Sequence, residues 1–208
     1  MGEIDETLYP RCVSSFIKRP ADLIRHVYVS FPYYAINSII AEDHLSKDEL
    51  KLVDRQRPNT TGNRLCTIGY EGKTIDEYLN LLVKNGVRVL CDVRKNPLSM
   101  KYGFSKGTLK SNVEKLEMEY VHIPELGIAT QKRKNLESLS DYEKLFEEYE
   151  EVTLAAAGTS LDKIRKMTEG EGRVALTCFE ADPRYCHRTR VARALQQLPN
   201  FSAPLIEL

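Results

Sequence analysis

Nowhere does this 208-residue sequence reach the roughly 18 consecutive apolar residues that a membrane span requires. Its first residues lack a basic start followed by an apolar run. Glu3, Asp5 and Glu6 stand there instead, so no signal peptide is read. Glycine and proline are sparse, at 11 and 9, which excludes collagen-like and Pro/Gly-rich disordered chains. Cysteine, at five, is too scarce and of the wrong parity for a disulfide scaffold. Cys66, Cys91 and Cys178 lie inside apolar runs, as small buried thiols do in a reducing compartment. A cytoplasmic location is therefore expected, with the sequons at Asn59 and Asn200 read as chance matches. Net charge is absent too: 30 basic residues face 30 acidic ones. Taken alone, that balance argues against nucleic acid or a membrane surface as a partner.

What is present is an ordinary globular composition, 42% hydrophobic and 29% charged. It suits one domain of moderate size, or one domain plus an appendage, with a core worth burying. From residue 65 a regular rhythm sets in. Leu65 to Gly69 reads as a strand, and Thr74 to Glu77 (TIDE) as a capping box opening a helix. Ile75, Tyr78, Leu79 and Leu82 give that helix its apolar stripe, and Asn85-Gly86 closes it. Val87 to Val93 is a nearly continuous apolar run, as in a strand covered on both faces. Leu109, Val113 and Leu116 suggest a second helix, and Tyr120 to Ile123 a third strand. A capping box at Ser140 to Glu143 opens a helix carrying Tyr142, Phe146 and Tyr149. Leu161, Ile164 and Met167 mark another helix, ending near Gly170, and Val174 to Phe179 a fourth strand. Asp182-Pro183 reads as N-cap and first residue of a last helix whose stripe is Val191, Ala192, Leu195 and Leu198, before a final strand at Ala203 to Glu207.

Strands alternating with helices predict an α/β fold: a Rossmann-like three-layer sandwich with a mainly parallel sheet over residues 64–208. Residues 1–63 stand outside the rhythm. They hold an aromatic stretch, Tyr28 to Tyr34, and a linker-like polar segment, Asp54 to Asn63, and read as an N-terminal appendage or partial domain. There are no internal repeats and no low-complexity tracts.

In such a sheet, ligands bind beyond the carboxyl ends of the strands. The polar residues expected there are Tyr70 and Glu71, then Asp92 and Arg94, then His122 and Glu125, then Cys178, Glu180 and Asp182. The helix that follows opens with Arg184, Cys186, His187 and Arg188. Asp92, His122, Glu125, Glu180, Cys186 and His187 are the candidate acid, base or nucleophilic groups, and Arg94, Arg184 and Arg188 the candidate anion ligands. A strand-end aspartate is also a common turn former, and an isolated histidine a common structural residue. The charge pattern favours a site. Between Lys84 and Lys110 seven basic residues face Asp92 alone, a net +6, while acids gather between Glu137 and Glu151. Lys132, Arg133 and Lys134 follow the third strand, and Arg184, Arg188, Arg190 and Arg193 the fourth. A neutral chain can therefore carry a basic edge that focuses an anionic substrate.

The segment from Cys178 to Arg188 admits three chemistries. Cys186, near a helix start and beside His187 and Arg188, has the setting of a reactive thiolate, unless burial renders it inert. Cys178-x5-Arg184 matches the Cys loop of tyrosine phosphatases and resembles that of rhodaneses, as Asp92-Val-Arg94 does their Asp-Val-Arg. However, the intervening FEADP carries two carboxylates and no glycine, which would repel an anion. Cys178, Cys186, His187 and His122 are able metal ligands, but the paired short spacings of zinc sites are missing, so no metal or cofactor is assigned.

Four segments in order, TIGYEGKTIDEYLNLL, CDVRKNPLSMKYGFSK, YVHIPELG and ALTCFEADPRYCHRTRVA, resemble the domain-of-unknown-function family 488 over about residues 66–198. The resemblance implies an α/β domain whose shared elements fall on Asp92–Arg94, His122–Gly127 and Cys178–Arg188. It implies no reaction. The reading that follows is an enzyme, or a domain of enzymatic descent, acting on a phosphate-bearing substrate such as a nucleotide or nucleic acid. The alternatives are a non-catalytic nucleic-acid-binding module and a thiol-dependent or metal-binding protein. No membrane partner is expected, and Tyr28 to Tyr34 is read as a candidate remnant of a regulatory or nucleic-acid-binding segment.

Overall fold

The computed structural model describes residues 20–36, 38–58, 61–133 and 136–208. Glu3, Asp5, Glu6, Asn59 and Lys134, singled out above, lie outside the described residues, as does part of the linker-like segment. The chain divides into two compact units, Met1–Pro58 and Asn59–Leu208. No described helix is long and apolar enough to cross a membrane.

In the first unit, α1 (Pro20–Ser30) leads through a 3-10 turn (Pro32–Ala35) to α2 (Ala41–His44) and α3 (Lys47–Arg55). Ser46 and Glu49 form a reciprocal capping box that starts α3. A small core of Ala35, Ile36, Ala41, Leu45 and Val53 holds these pieces together. The aromatic stretch lies at the end of α1 and in the turn, where the Tyr28 hydroxyl donates to Ser38 Oγ at 2.9 Å.

The second unit is a Rossmann-like α/β sandwich around an all-parallel five-stranded sheet, ordered β3-β2-β4-β1-β5. The strands are β1 (Arg64–Gly69), β2 (Val89–Asp92), β3 (Glu119–His122), β4 (Arg173–Cys178) and β5 (Leu205–Glu207). Between them run α4 (Ile75–Lys84), α5 (Lys106–Glu114), α6 (Leu139–Glu148), α7 (Gly158–Glu171) and α8 (His187–Gln196). The two-residue period of the strands splits their side chains between two cores. Leu65, Val89, Cys91, Val174 and Leu176 enter the core with Phe146, Ile164, Val191 and Leu195 of α6, α7 and α8. Cys66, Ile68, Leu90 and Ala175 enter the other, with Tyr78, Leu82, Leu109 and Val113 of α4 and α5. Both faces are covered, which explains the continuous apolar runs of the central strands.

Local signals hold in most places and shift in three. Thr74 and Glu77 make the expected capping box. The box of α6 is formed by Ser138 and Asp141, two residues before the one the sequence suggested. Asp141 accepts from the backbone N–H groups of both Glu137 and Ser138, giving it more donors than Glu143 would have. Leu116, expected on the stripe of α5, lies beyond that helix and is exposed. Asp182 caps only a 3-10 turn, Pro183–Tyr185, and α8 begins four residues after Pro183, with Cys186 as its N-cap.

The Ser138–Asp141 box carries a pH signature. Bonds from Ser138 side chain and backbone, then from the Glu137 N–H, hold the Asp141 carboxyl below its ordinary value. A folded-state value below the unfolded one stabilises above the unfolded value and is lost as pH falls through the folded one. Asp141→Asn is therefore expected to melt earlier than the parent at neutral pH. The gap should close in acid below the carboxylate range. A gap independent of pH would show that the charge of Asp141 contributes nothing.

Candidate functional site

Register brings the strand ends into one row. Gly69 pairs with Cys178, Asp92 with Thr177, and Asp92 with His122. The order along the edge is thus His122, Asp92, Thr177–Cys178, Gly69. A cleft of about 480 Å³ opens beyond β2 and β4. Arg94, Lys95 and Arg133 lie on its walls, and Cys178, Glu180 and His187 on its floor.

One wall is built on a buried ion pair. Asp92 is wholly buried, and its carboxylate accepts from Arg94 Nε at 2.8 Å and Nη2 at 2.5 Å, from the Arg94 N–H at 3.1 Å, and from the Tyr120 hydroxyl at 2.6 Å. Arg94 Nη1 also donates to the Tyr70 hydroxyl and to the Phe104 carbonyl, both at 2.9 Å. Burial disfavours the Arg94 charge, but the hydrogen bonds and charge of Asp92 outweigh it and raise its pKa. The same carboxylate adds to desolvation in pushing the Tyr120 phenol up. His122 Nε2 lies 2.9 Å from the Arg94 carbonyl, which can only accept, so Nδ1 is the acceptor for Lys106 Nζ at 2.9 Å. Asp92 and His122 therefore flank Arg94 and fix it.

The floor comes from the end of β4 and the start of α8. His187, buried, places Nε2 2.9 Å from the Val93 carbonyl, which leaves Nδ1 as the lone-pair nitrogen, 3.6 Å from Cys178 Sγ. Cys178 Sγ is also 3.3 Å from Glu180 Oε2. Cys186 converges on the same point: one ligand atom from each of Cys178, Cys186 and His187 lies within 4.8 Å of the other two. Desolvation raises the Cys186 thiol well above its ordinary value, and its neighbour Cys178 adds to this against the opposing His187. Glu180 is different. Burial pushes its carboxyl up, but the Arg133 charge and hydrogen bonds from Cys186, its own backbone and Cys178 hold it below the usual range. Arg133 Nη2 is bonded directly to Glu180 Oε1.

The remaining candidates do not share this cleft. Arg188 is wholly buried and donates through Nη1 and Nη2 to the Glu180 and Ala181 carbonyls, holding the loop after β4, while its Nε is left without a hydrogen-bond partner among the described residues. Arg184 is paired with Asp182 and faces a recess between α6 and α8, away from Cys178, so the two ends of Cys178-x5-Arg184 do not form one anion cradle. Glu125 lines a third recess with Lys132 and Glu148. Arg133 and Tyr120 are structural members of the site that the residue-type argument did not select, and Tyr70, expected at its strand end, is there as a partner of Arg94. Tyr120 was signalled only by its place two residues before His122 on β3.

The sequence model described as "Domain of unknown function DUF488" matches residues 74–195, which span β2 to β4 and all of the cleft residues except Tyr70. No curated protein and no solved structure matches the chain.

Proposed function

Because the chain belongs to the Domain of unknown function DUF488 family, whose description assigns no activity, we propose its function from the cleft: an enzyme acting on a phosphate-bearing substrate, a nucleotide or a nucleic-acid strand. The observation that carries this reading is the presence of cations and uncovered apolar side chains at the carboxyl ends of the strands, with Lys95, Leu98, Met100 and Phe179 lining the cleft itself. Lys73 Nζ and Lys101 Nζ rest on the Gly69 and Tyr70 carbonyls, and Lys106 Nζ on a neutral imidazole nitrogen. These are uncharged acceptors, so the ammonium charges remain available to phosphate oxygens. Between them the loop after β2 exposes Leu98, Met100 and Tyr102, with Phe179 across the cleft. Flat or flexible apolar surfaces set among lysines suit a base stacked beside its own phosphate. Glu180 and His187 supply proton transfer on the floor, and Cys178 a potential nucleophile. Asp92, His122 and Arg188 act through the walls and loops they hold.

The test is binding of single-stranded DNA, single-stranded RNA and mononucleotides as a function of salt, followed by product analysis. Affinity should fall steeply with salt. Lys95→Glu with Lys101→Glu should weaken binding at least about tenfold and reduce the salt slope by about 2. Absence of binding at low salt would overturn the reading. Binding without any product would leave the non-catalytic module.

A further inference from the structure

We propose that Cys178, Cys186 and His187 form a three-ligand zinc site at the floor of the cleft, with the fourth position open toward the substrate. The proposal goes beyond the anion reading and does not depend on it: with an ion bound, Cys178 and His187 act as ligands rather than as nucleophile and proton carrier.

Four observations carry the proposal. First, three soft or borderline donors converge, all buried, with their ligand atoms within 4.8 Å of one another. Second, the spacing fits. A tetrahedral ion holding sulfur at ~2.3 Å and nitrogen at ~2.0–2.1 Å sets those two donors about 3.5–3.6 Å apart. The Cys178 Sγ to His187 Nδ1 distance is 3.6 Å. Third, the histidine is oriented as a ligand. Its Nε2–H is spent on the Val93 carbonyl at 2.9 Å, which points the free lone pair of Nδ1 at the two sulfurs. A backbone carbonyl holding the distal N–H is the usual outer support of a metal-bound histidine.

The fourth observation is charge. Two thiolates and a neutral imidazole around a divalent ion sum to zero. Glu180 and Arg133 beside them are already a neutral pair. Binding then buries no net charge, and two thiol protons are released to solvent. Cys186 and His187 are the N-cap and first residue of α8. The ligands come from β4 and α8, so the ion would tie the end of a central strand to the helix that follows it. Three protein ligands with a cleft on the fourth side is the pattern of a catalytic site, where the metal lowers the pKa of a bound water.

The experiment is metal analysis of the full chain purified without chelator, with no substrate present. One zinc per chain is expected in the parent and in Cys91→Ser, whose thiol is buried elsewhere in the sheet. Cys178→Ser, Cys186→Ser and His187→Gln should each bind at least about tenfold more weakly. Because a ligand variant may unfold, a second measurement uses the parent alone. Chelation and reconstitution with cobalt should give a thiolate-to-cobalt charge-transfer band and intense visible bands of tetrahedral cobalt. X-ray absorption should count two sulfurs and one nitrogen. A folded parent that binds neither zinc nor cobalt overturns the proposal. So does zinc retained in the ligand variants, or a Cys178–Cys186 disulfide in protein kept under reducing conditions. Loss of nucleic-acid binding with metal intact would count against the function proposed above and leave the zinc site standing.

Discussion

Asp92→Ala is expected to lower stability by about 3–5 kcal/mol, the cost of leaving a buried charge without its partner. For a chain of this size that is a fall in Tm on the order of 10 °C. The reason lies in the position of Arg94, only 6% exposed, with three of its N–H donors on the Asp92 carboxylate. Without that carboxylate the guanidinium stays in its apolar setting beside Tyr70 and Phe104, and the Tyr120 hydroxyl loses its acceptor. Urea or thermal unfolding reads the effect directly. The double variant Asp92→Leu with Arg94→Met removes the orphaned charge as well and should recover a substantial part of the loss. If Asp92→Ala came within about 1 kcal/mol of the parent, the pair would not be the foundation of the wall. The two variants also separate structure from ligand binding: the double variant should regain stability without regaining anion affinity.

Two glycines should respond sharply to an added methyl group, and a third in the opposite direction. A methyl group on Gly69 would lie inside the contact distance of the Glu180 carbonyl. One on Gly127 would meet the backbone of Arg94 and Lys95. Neither obstacle is the far end of a flexible side chain; both are main chain, anchored at the end of β4 and after β2. Gly69→Ala and Gly127→Ala are expected to destabilise by roughly 3 kcal/mol, the upper end of overpacking costs, and to abolish binding in the cleft. Gly107, in the first turn of α5, has open space around its missing Cβ. Gly107→Ala is expected to raise stability by about 0.5–1 kcal/mol. Unfolding midpoints for the three variants form one experiment, and equal effects at Gly69 and Gly107 would sink the close-approach argument.

Much of this architecture was legible from residue order. Apolar runs bounded by capping boxes located β1, α4 and β2, because the signals there are local: Thr74 needs only Glu77, and Val89 to Asp92 needs only burial on both faces. The capping box of α6 misled because Ser-x-x-Asp and Ser-x-x-Glu occur two residues apart and only the backbone decides between them. The strand-end rule found the cleft residues Arg94, Glu180 and His187. It also gathered Arg188, Glu125 and Arg184, which the chain turns elsewhere. Direction of a side chain depends on packing that sequence spacing does not encode. The convergence of Cys178 with Cys186 was hidden for the same reason, since seven intervening residues form a loop whose closure rests on Arg188 and the Gly69 contact. The zero net charge says little about any one surface: Lys73 and Lys101 rest on neutral acceptors at the strand ends beside the Asp92–Arg94 and Glu180–Arg133 pairs, while further acids lie on α6 and the turn after it.

After α6 the chain makes a π-helical turn, Tyr149–Leu154, in which each hydrogen bond spans one residue more than in an α-helix. Tyr149 at its start donates to the Leu126 carbonyl at 2.6 Å and sets its ring edge-on to His187, 5.9 Å between centroids. A wide turn is an α-helix carrying one surplus residue, so its phase is a matter of counting. Deleting a residue between 150 and 154 would remove that surplus and let the turn relax to ordinary α-helix with α6 still in phase, whereas a further inserted residue would rotate everything before it by about 100°. Tyr149 would then leave both partners at once. In an alignment of related chains, this segment should tolerate exchange of residue type at its outward positions, and loss of the surplus residue, far better than a further insertion.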